Sequence, residues 1–439
     1  MSEQASREEL DRVFVELTRN EFMHHSLSDI GDDNLALIAL ATMRYLRASK
    51  SQLYAAYDIC KARGPSAWVQ SPQSFLDVND QQFFLGHWEY IEAYTVYFSY
   101  EYNVGQKYLS HTAAAHLAYR SPSLLHGLFN HLGVPLIMLA DGLHIPSALY
   151  LVSTMALACA HWDSLIATQL AVLRAEIDRR RVELNPAAVT MSMIKQAPAD
   201  ASPLNLLRRI AQDARFQNVM PMGLPGYAEH LCRGQSILCN TTVEAALHEY
   251  VWALEVPDTD DMDTVLTELG YAAVLLACAT HKPLGPSTNS YAEQYDYYLC
   301  MLPSLVHAVR AILWAFKPIG FFKPFRLLLV RGVWMVMILA YVTQMRPTVT
   351  EALVTEVDSG SEPLSWEQLS LYFSNDPQLD IPRHRDFMFL RALSSIGSLA
   401  CYDTKRDRFY NQAAFKLQRT FTSWVGFGHP GEPTLNIRP

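Results

Sequence analysis

The hydrophobic residues of this chain form long runs at helical spacing, separated by short polar segments. The longest run covers residues 134–161 and contains few polar side chains, among them Asp141 and His144. It is too apolar for a surface helix and too interrupted for a membrane span, and is typical of a buried helix that lines a cavity. We therefore predict one buried helix over 134–160, and similar runs predict three more over 295–316, 324–342 and 387–399.

The rest of the pattern predicts an all-α fold. Runs of alternating β-branched residues are scarce, and no repeat of fixed period is present. Residues 183–226 are polar and rich in proline and glycine, which predicts a long loop region with one short helix over 204–214. No linker-like break divides the chain. We predict a single large helical domain, 1–439, around an internal apolar cavity, with residues 425–439 as a tail.

Composition and charge narrow the classes of function. The 439 residues include 35 basic and 44 acidic side chains, a net charge of −9, without a basic stripe. This argues against nucleic-acid binding. The seven cysteines show no paired spacing, and the first residues form no apolar signal segment, so we predict a reduced, cytoplasmic protein. We also predict no membrane span, because the uncharged run over 332–342 is too short.

Searches for catalytic motifs yield one weak candidate. The chain has no GxGxxG, Walker A, GxSxG or HExxH motif and no zinc-binding cysteine/histidine spacing. The segment Asp258-Thr-Asp260-Asp261 matches the DxDD motif of class II terpene cyclases, in which an aspartic acid held neutral protonates an alkene or epoxide. A cluster of acidic residues that caps the next helix is the commoner interpretation of such a segment.

Five segments in the same order resemble the questin oxidase-like family, whose members tailor aromatic polyketides. The resemblance covers nearly the whole chain at low identity. The segments are Asn34-Leu-Ala-Leu-Ile38 before Leu46-Arg-Ala-Ser49, Val134-Pro-Leu-Ile-Met138-Leu-Ala140 before Gly142-Leu-His144, Asp296-Tyr-Tyr-Leu-Cys-Met301, Arg346-Pro347, and Arg385-Asp-Phe-Met388-Phe-Leu-Arg391-Ala-Leu393.

The resemblance implies an all-α oxygenase that opens a ring of an anthraquinone-type substrate. In some members it implies a non-haem iron held by several histidines and a carboxylated lysine. At the matched positions this chain instead has Leu35, Ile38, Val134, Met138, Met301, Arg385 and Met388. Iron needs several nitrogen or oxygen donors, which these side chains do not supply. We therefore expect no metal and no cofactor; a mismatched alignment is the alternative.

With the ligands replaced, the matched positions should line a dry pocket with polar groups at its edge. We predict as substrate-binding residues Leu35, Ile38, Val134, Met138, Tyr298, Met301 and Met388. We predict as catalytic residues Asp32, His131, Asp141, His144, Tyr297, His384 and Arg391. His131 shares a helix face with Asp141 only if Pro135 leaves that helix unbroken. The sulfurs of Met138, Met301 and Met388 should meet at one cavity.

The preferred hypothesis is a cofactor-free tailoring enzyme that promotes cyclisation, rearrangement or elimination of a polyketide- or terpenoid-derived intermediate. The alternative is a non-haem-iron (Fe) oxygenase that cleaves an anthraquinone ring in a Baeyer–Villiger-like reaction. A class II-like terpene cyclase using Asp258–Asp261 and a non-catalytic binding protein are less favoured. The expected partner is a small aromatic or polycyclic molecule, and a homodimer is left open. A shifted iron-ligand set would come from His126, His131, His144, His307 or His384.

Overall fold

The described structure confirms the prediction of an all-α fold. The computed structural model describes residues 3–24, 35–46, 48–63, 71–77, 80–104, 109–145, 147–183, 201–217, 219, 234–257, 261–280, 295–355, 386–421 and 424–426. Within these ranges most residues are helical. The only sheet there is a parallel pair of two-residue strands, Tyr295–Asp296 and Trp424–Val425.

The helices are numbered here in chain order. They are α1 Glu3–His24, α2 Leu35–Tyr45, α3 Lys50–Arg63, α4 Asp80–Phe83, α5 Ile91–Val104, α6 Leu109–Ala115, α7 Pro122–Gly127, α8 Val134–His144, α9 Ala148–Ala160, α10 Ser164–Glu183, α11 Pro203–Gln212, α12 over 234–239, α13 Thr241–Ala253, α14 Asp263–Cys278, α15 Tyr297–Ala315, α16 Arg326–Thr343, α17 Ala352–Thr355, α18 Phe387–Ala400 and α19 Asp407–Thr420.

The centre of the fold is built from α15 and the helices around it. α15 packs against α8, α14, α16 and α18, and α18 in turn packs against α2. Every residue of α16 is buried, as expected for a helix that is apolar on all sides. The predicted runs 295–316, 324–342 and 387–399 therefore correspond to three helices of one core, and the short helix predicted over 204–214 corresponds to α11.

The prediction of one continuous helix over 134–160 was wrong. Helix α8 ends at His144, where Ile145 turns to an extended conformation (φ −106°, ψ 129°), and α9 begins at Ala148. The sequence has Pro146 at this point, and a residue that precedes proline is disfavoured in the helical region. The Ser147 side chain then accepts a hydrogen bond from the Tyr150 amide and caps α9. The run thus forms two buried helices.

Two of the described helical segments are long and apolar enough to cross a membrane. They are Tyr297–Ala315 and Gly320–Thr343, and the pair formed by α9 and α10, which is bent by 100°, would add a third if it were one span. In the fold, 72% of the apolar stretch in Tyr297–Ala315 and 100% of that in Gly320–Thr343 is buried inside the protein. Most of this apolar surface contacts other parts of the same chain.

Candidate active site

A buried ion pair joins two of the residues predicted to be catalytic. Arg391 on α18 donates from Nη1 to Asp141 Oδ2 and from Nη2 to Asp141 Oδ1, both at 2.9 Å. The Asp141 side chain is 1% exposed and that of Arg391 is 2% exposed. A two-pronged contact of this kind fixes the planes of both groups. The fold thus brings together a carboxylate and a guanidinium that lie 250 residues apart in sequence.

Two tyrosines complete the hydrogen bonding of the Asp141 carboxylate. The Tyr45 hydroxyl donates to Oδ1 at 3.0 Å, and the Tyr150 hydroxyl lies 3.3 Å from Oδ2 and 3.2 Å from the Leu37 carbonyl oxygen. Burial, followed by the charge of Asp141, raises the pKa of both tyrosines well above its usual value. Both hydroxyls therefore stay protonated and act as donors. Neither tyrosine was predicted from the sequence to belong to the site.

The local sequence explains how Arg391 is held in place. Helix α18 begins after Asp386, whose carboxylate accepts hydrogen bonds from the amides of Met388 and Phe389 at 3.1 and 3.0 Å. Arg391 follows within the next turn and points to α8. Burial opposes its charge, but Asp141 and the tyrosines outweigh burial and raise the pKa of Arg391. Arg391 is thus kept charged in an apolar core, where an unpaired charge would be strongly unfavourable.

His307 on α15 lies close enough to Arg391 for the charge of the guanidinium to act on it. Its Nδ1 is buried, as is Arg391 Nε, and neither atom has a hydrogen-bond partner within the described residues. Burial, and then the charges of Arg391, His144 and Arg310, lower the pKa of His307 to about 3. His307 is therefore neutral at physiological pH. The cluster defined by Tyr45, Asp141, Tyr150, His307 and Arg391 is called the polar cluster below.

The polar cluster approaches the surface through aromatic side chains. The exposed His144 ends α8, and its ring centroid lies 6.3 Å from that of Tyr45 and 6.5 Å from that of Trp314. Trp314 is 71% exposed. The Arg391 guanidinium lies over the Tyr45 ring, 5.4 Å from its centroid. The Tyr45 side chain is half-buried. It lies between the exposed His144 and Trp314 on one side and the buried Asp141–Arg391 ion pair on the other.

Of the other residues predicted to be catalytic, His131 and Tyr297 belong to the described part of the chain, and both lie outside the polar cluster. Because α8 begins only at Val134, His131 lies outside the helix, in a turn where its φ is 48°. The centroid of its ring lies 3.7 Å from that of the His161 ring. Tyr297 packs edge-on to Tyr298 and Trp424, at 5.5 and 5.6 Å between ring centroids. Asp32, His384 and the side chain of Leu35 lie outside the described residues.

The described residues predicted to bind substrate are all buried. They are Ile38, Val134, Met138, Tyr298, Met301 and Met388. Their helices α2, α8, α15 and α18 pack together, so the residues belong to one region of the core. Convergence of the methionine sulfurs on a single cavity stays a prediction.

An iron centre does not fit the described residues. Among them, no three histidine, cysteine, aspartate or glutamate side chains lie close enough to hold a metal ion. His126, His131, His144 and His307 therefore do not form the shifted ligand set considered as an alternative, and His384 lies outside the described residues. Since iron needs several such donors, no chemical step is assigned to it.

The acidic segment at 258–261 shows a capping contact. Asp261 is exposed, and its Oδ1 accepts a hydrogen bond from the Asp263 amide at 3.1 Å, where α14 begins. Asp258–Asp260 lie outside the described residues. The contact of Asp261 supports the helix-capping interpretation of this segment.

Three histidines with lowered pKa values predict that the protein loses stability in weak acid. Burial is the main cause that lowers the pKa of His116 and His126 to about 4 and of His307 to about 3. Between pH 6.5 and these values the unfolded chain binds more protons, so stability falls as the pH falls, by up to about 1.4 kcal/mol per pH unit for each histidine. Urea unfolding at pH 7, 6 and 5 will measure this slope.

The His116→Phe variant tests the origin of this slope. His116 is fully buried between aromatic rings, and neither of its ring nitrogens has a hydrogen-bond partner in the described structure; the nearest carboxylate oxygen, Glu101 Oε2, lies 3.6 Å from Nε2. Phenylalanine should therefore fit and should remove one histidine's share of the pH dependence. Replacement of the exposed His87 is the control. An unchanged slope in His116→Phe would contradict the assignment.

Comparison with known proteins identifies the family. The model of the family described as "Questin oxidase-like" matches residues 33–379, which is most of the chain and extends from the start of α2 past α17. No curated protein matches the chain. The match confirms the family resemblance; four of the five sequence segments lie within it, and the fifth, 385–393, lies beyond its end. The chain belongs to the questin oxidase-like family, and this membership implies an enzyme related to polyketide tailoring.

Proposed function

We propose that this enzyme binds a phenolic, polyketide-derived molecule at the polar cluster and removes a proton from it. The observation that supports the proposal is the pair of buried, unpartnered nitrogens, His307 Nδ1 and Arg391 Nε. His307 Nδ1 is an acceptor when the neutral ring carries its proton on Nε2, and Arg391 Nε is a donor on a cation. Unsatisfied buried polar atoms are unfavourable unless a ligand satisfies them. A phenolic hydroxyl offers the donor and the acceptor that these two nitrogens lack.

The proton transfer follows from the charges of the cluster. The phenolic O–H bond breaks, the proton moves to His307, and the electron pair remains on the oxygen, which accepts a hydrogen bond from Arg391. Burial, and then the charges of Arg391, His144 and Arg310, keep the pKa of His307 low before substrate binds. The phenolate formed beside it supplies the negative charge that stabilises the imidazolium.

Asp141 acts in this proposal as a positioning residue. Its carboxylate already accepts hydrogen bonds from Arg391, Tyr45 and Tyr150, so it has little capacity to receive a substrate proton. It instead fixes the orientation of the guanidinium. Because Arg391 is almost fully buried, we expect Tyr45 to move aside when substrate enters, with the ring of Trp314 offering a surface for a planar aromatic molecule.

The fate of the anion distinguishes two candidate reactions. Cyclisation, rearrangement or elimination without a cofactor can begin from a phenolate. The family match favours the second candidate, oxidation of the bound anion, in which dioxygen would accept the electrons. Both reactions begin with the same proton transfer.

Binding of 7-hydroxycoumarin tests the proton transfer, because absorbance distinguishes its phenol from its phenolate. We expect the wild-type protein to bind it as phenolate and to lower its pKa by about 1–3 units, the range for a nearby opposite charge. The His307→Gln variant should lose most of this shift. His126→Gln is the matched control, since His126 is also half-buried with a lowered pKa but lies on α7. A neutral bound phenol in the wild type would refute the proposal.

A further inference from the structure

A groove between α5 and α6 is large enough for a small molecule. It has a volume of about 380 Å³, which is within the usual range for small-molecule sites. Its walls include two aromatic side chains, Tyr100 and Phe321, and two charged ones, Glu101 and Arg120. None of the residues that line the groove belongs to the polar cluster. The groove is therefore a candidate for a second binding site, beyond the proposed proton transfer.

A turn of π-helix brings Arg120 into the wall of the groove. Helix α6 ends at Ala115 and continues as one π-helical turn, His116–Arg120. Because the hydrogen bonds of such a turn join residues five apart, Ala115 and Arg120 share a face, and both line the groove. In an uninterrupted α-helix Tyr119, four residues after Ala115, would take that place. Turns of this kind inside helices are rare and are frequent at functional sites.

The ion pair in the groove leaves hydrogen-bonding atoms of both side chains unused. Arg120 Nη1 donates to Glu101 Oε2. The fully buried His116 lies behind the same oxygen, with its Nε2 3.6 Å away. Within the described residues, Glu101 Oε1 and Arg120 Nε and Nη2 make no hydrogen bond. An acceptor on an anion and two donors on a cation are thus available to a ligand.

Two aromatic rings flank these charges. Tyr100 precedes Glu101 on α5, and its side chain is 66% exposed. Phe321 comes from the turn before α16, and its ring centroid lies 4.8 Å from that of Tyr119 in the π-helical turn. The two rings therefore offer apolar surface to a planar molecule, within the same groove as the ion pair.

The charges of the groove limit what it can bind. A ligand with a single charge is attracted by one member of the ion pair and repelled by the other. A ligand that carries both an ammonium and a carboxylate group can bond to Glu101 Oε1 and to the unused Arg120 nitrogens at the same time. We propose that this groove binds a small aromatic zwitterion of the amino-acid type, with its ring against Tyr100 and Phe321.

L-phenylalanine, 3-phenylpropionate and phenethylamine test this proposal, because they have nearly the same shape and differ in charge. The first carries both charged groups, the second only the carboxylate and the third only the ammonium. We expect L-phenylalanine to bind the wild type with a Kd of about 1–10 mM, as is usual for so small a ligand. The other two should bind about 3–5-fold more weakly, since exposed charges contribute modestly. Titrations followed by saturation-transfer difference NMR measure all three.

Substitution of either charge should change this order of binding. In Glu101→Gln, 3-phenylpropionate should bind at least as tightly as L-phenylalanine, and in Arg120→Gln the same should hold for phenethylamine. Tyr100→Ala keeps the test independent of the ion pair, because this side chain is mostly exposed and its loss should not affect folding. We expect it to weaken L-phenylalanine binding about 3–10-fold.

Tyr402→Ala is the matched control, since Tyr402 is also exposed, at 52%, but follows α18 and does not line the groove. It should leave L-phenylalanine binding unchanged. The proposal is overturned if L-phenylalanine binds the wild type no more tightly than the two singly charged molecules, if the charge variants keep the wild-type order, or if Tyr100→Ala binds it as tightly as Tyr402→Ala does.

Discussion

Replacement of Arg391 by methionine is expected to lower the free energy of unfolding by about 3–5 kcal/mol. The Asp141 carboxylate is 1% exposed and would lose its only cationic partner among the described residues. Methionine fills much of the volume of arginine, so the loss reports an unpaired charge more than a void. The donors Tyr45 and Tyr150 remain and moderate the effect. Guanidinium denaturation, extrapolated to water, measures it.

Arg310→Met is the matched control for this prediction. Arg310 is 5% exposed, like Arg391, but its partner Asp263 is 78% exposed and becomes hydrated when the pair is broken. We expect a loss of at most about 1–2 kcal/mol there. The double variant Asp141→Leu, Arg391→Met should recover most of the stability, because apolar residues often replace a buried ion pair without loss. Equal losses in Arg391→Met and Arg310→Met would contradict this account.

The long apolar helices were predictable because their residue patterns are compatible with few structures other than a buried helix. The run over 324–342 has no polar face and becomes α16, which is buried all round. The segment Ser49-Lys-Ser-Gln52 matches a capping box, and the box forms, with Gln52 Oε1 2.7 Å from the Ser49 amide nitrogen. The segment Thr241-Thr-Val-Glu244 matches the same pattern, but there Asn240 is the residue whose side chain caps α13. The residue at which a helix begins depends on which of several neighbouring side chains caps it, and a general sequence pattern does not show which one does.

The candidate site was predictable only in part. Asp141 was identifiable because a carboxylate within a long apolar run needs a partner, and Arg391 stood out in the same way on α18. Their contact depends on how α8 and α18 pack, which neither segment shows alone. Tyr45 and Tyr150 look like ordinary core aromatics in sequence. His307 was considered only as a metal ligand, although a single histidine in the apolar run of α15 was the available signal for a buried base.

Replacement of Gly133 by alanine is expected to cost about 2–5 kcal/mol of unfolding free energy. Gly133 has φ +77°, which costs a residue with a side chain about 1–2 kcal/mol. In addition, an added Cβ would lie 2.2 Å from Leu305 Cδ1, and overpacking of a core typically costs about 1–3 kcal/mol. Because Gly133 directly precedes α8, relief of the clash would shift the helix that carries Asp141. Chemical denaturation will give the loss of stability, and 7-hydroxycoumarin binding will report any effect on the polar cluster.

A double-mutant cycle with Leu305→Ala separates the two causes. Leu305→Ala alone should destabilise by about 2–5 kcal/mol, since it opens a void. In that background Gly133→Ala should retain only the backbone part of its cost, because the atom that the new Cβ meets is gone. The control is Gly234→Ala, where an added Cβ meets nothing within 4 Å and we expect a change within about 0.5 kcal/mol. A Gly133→Ala variant as stable as this control would mean that the left-handed turn before α8 is not required by the fold.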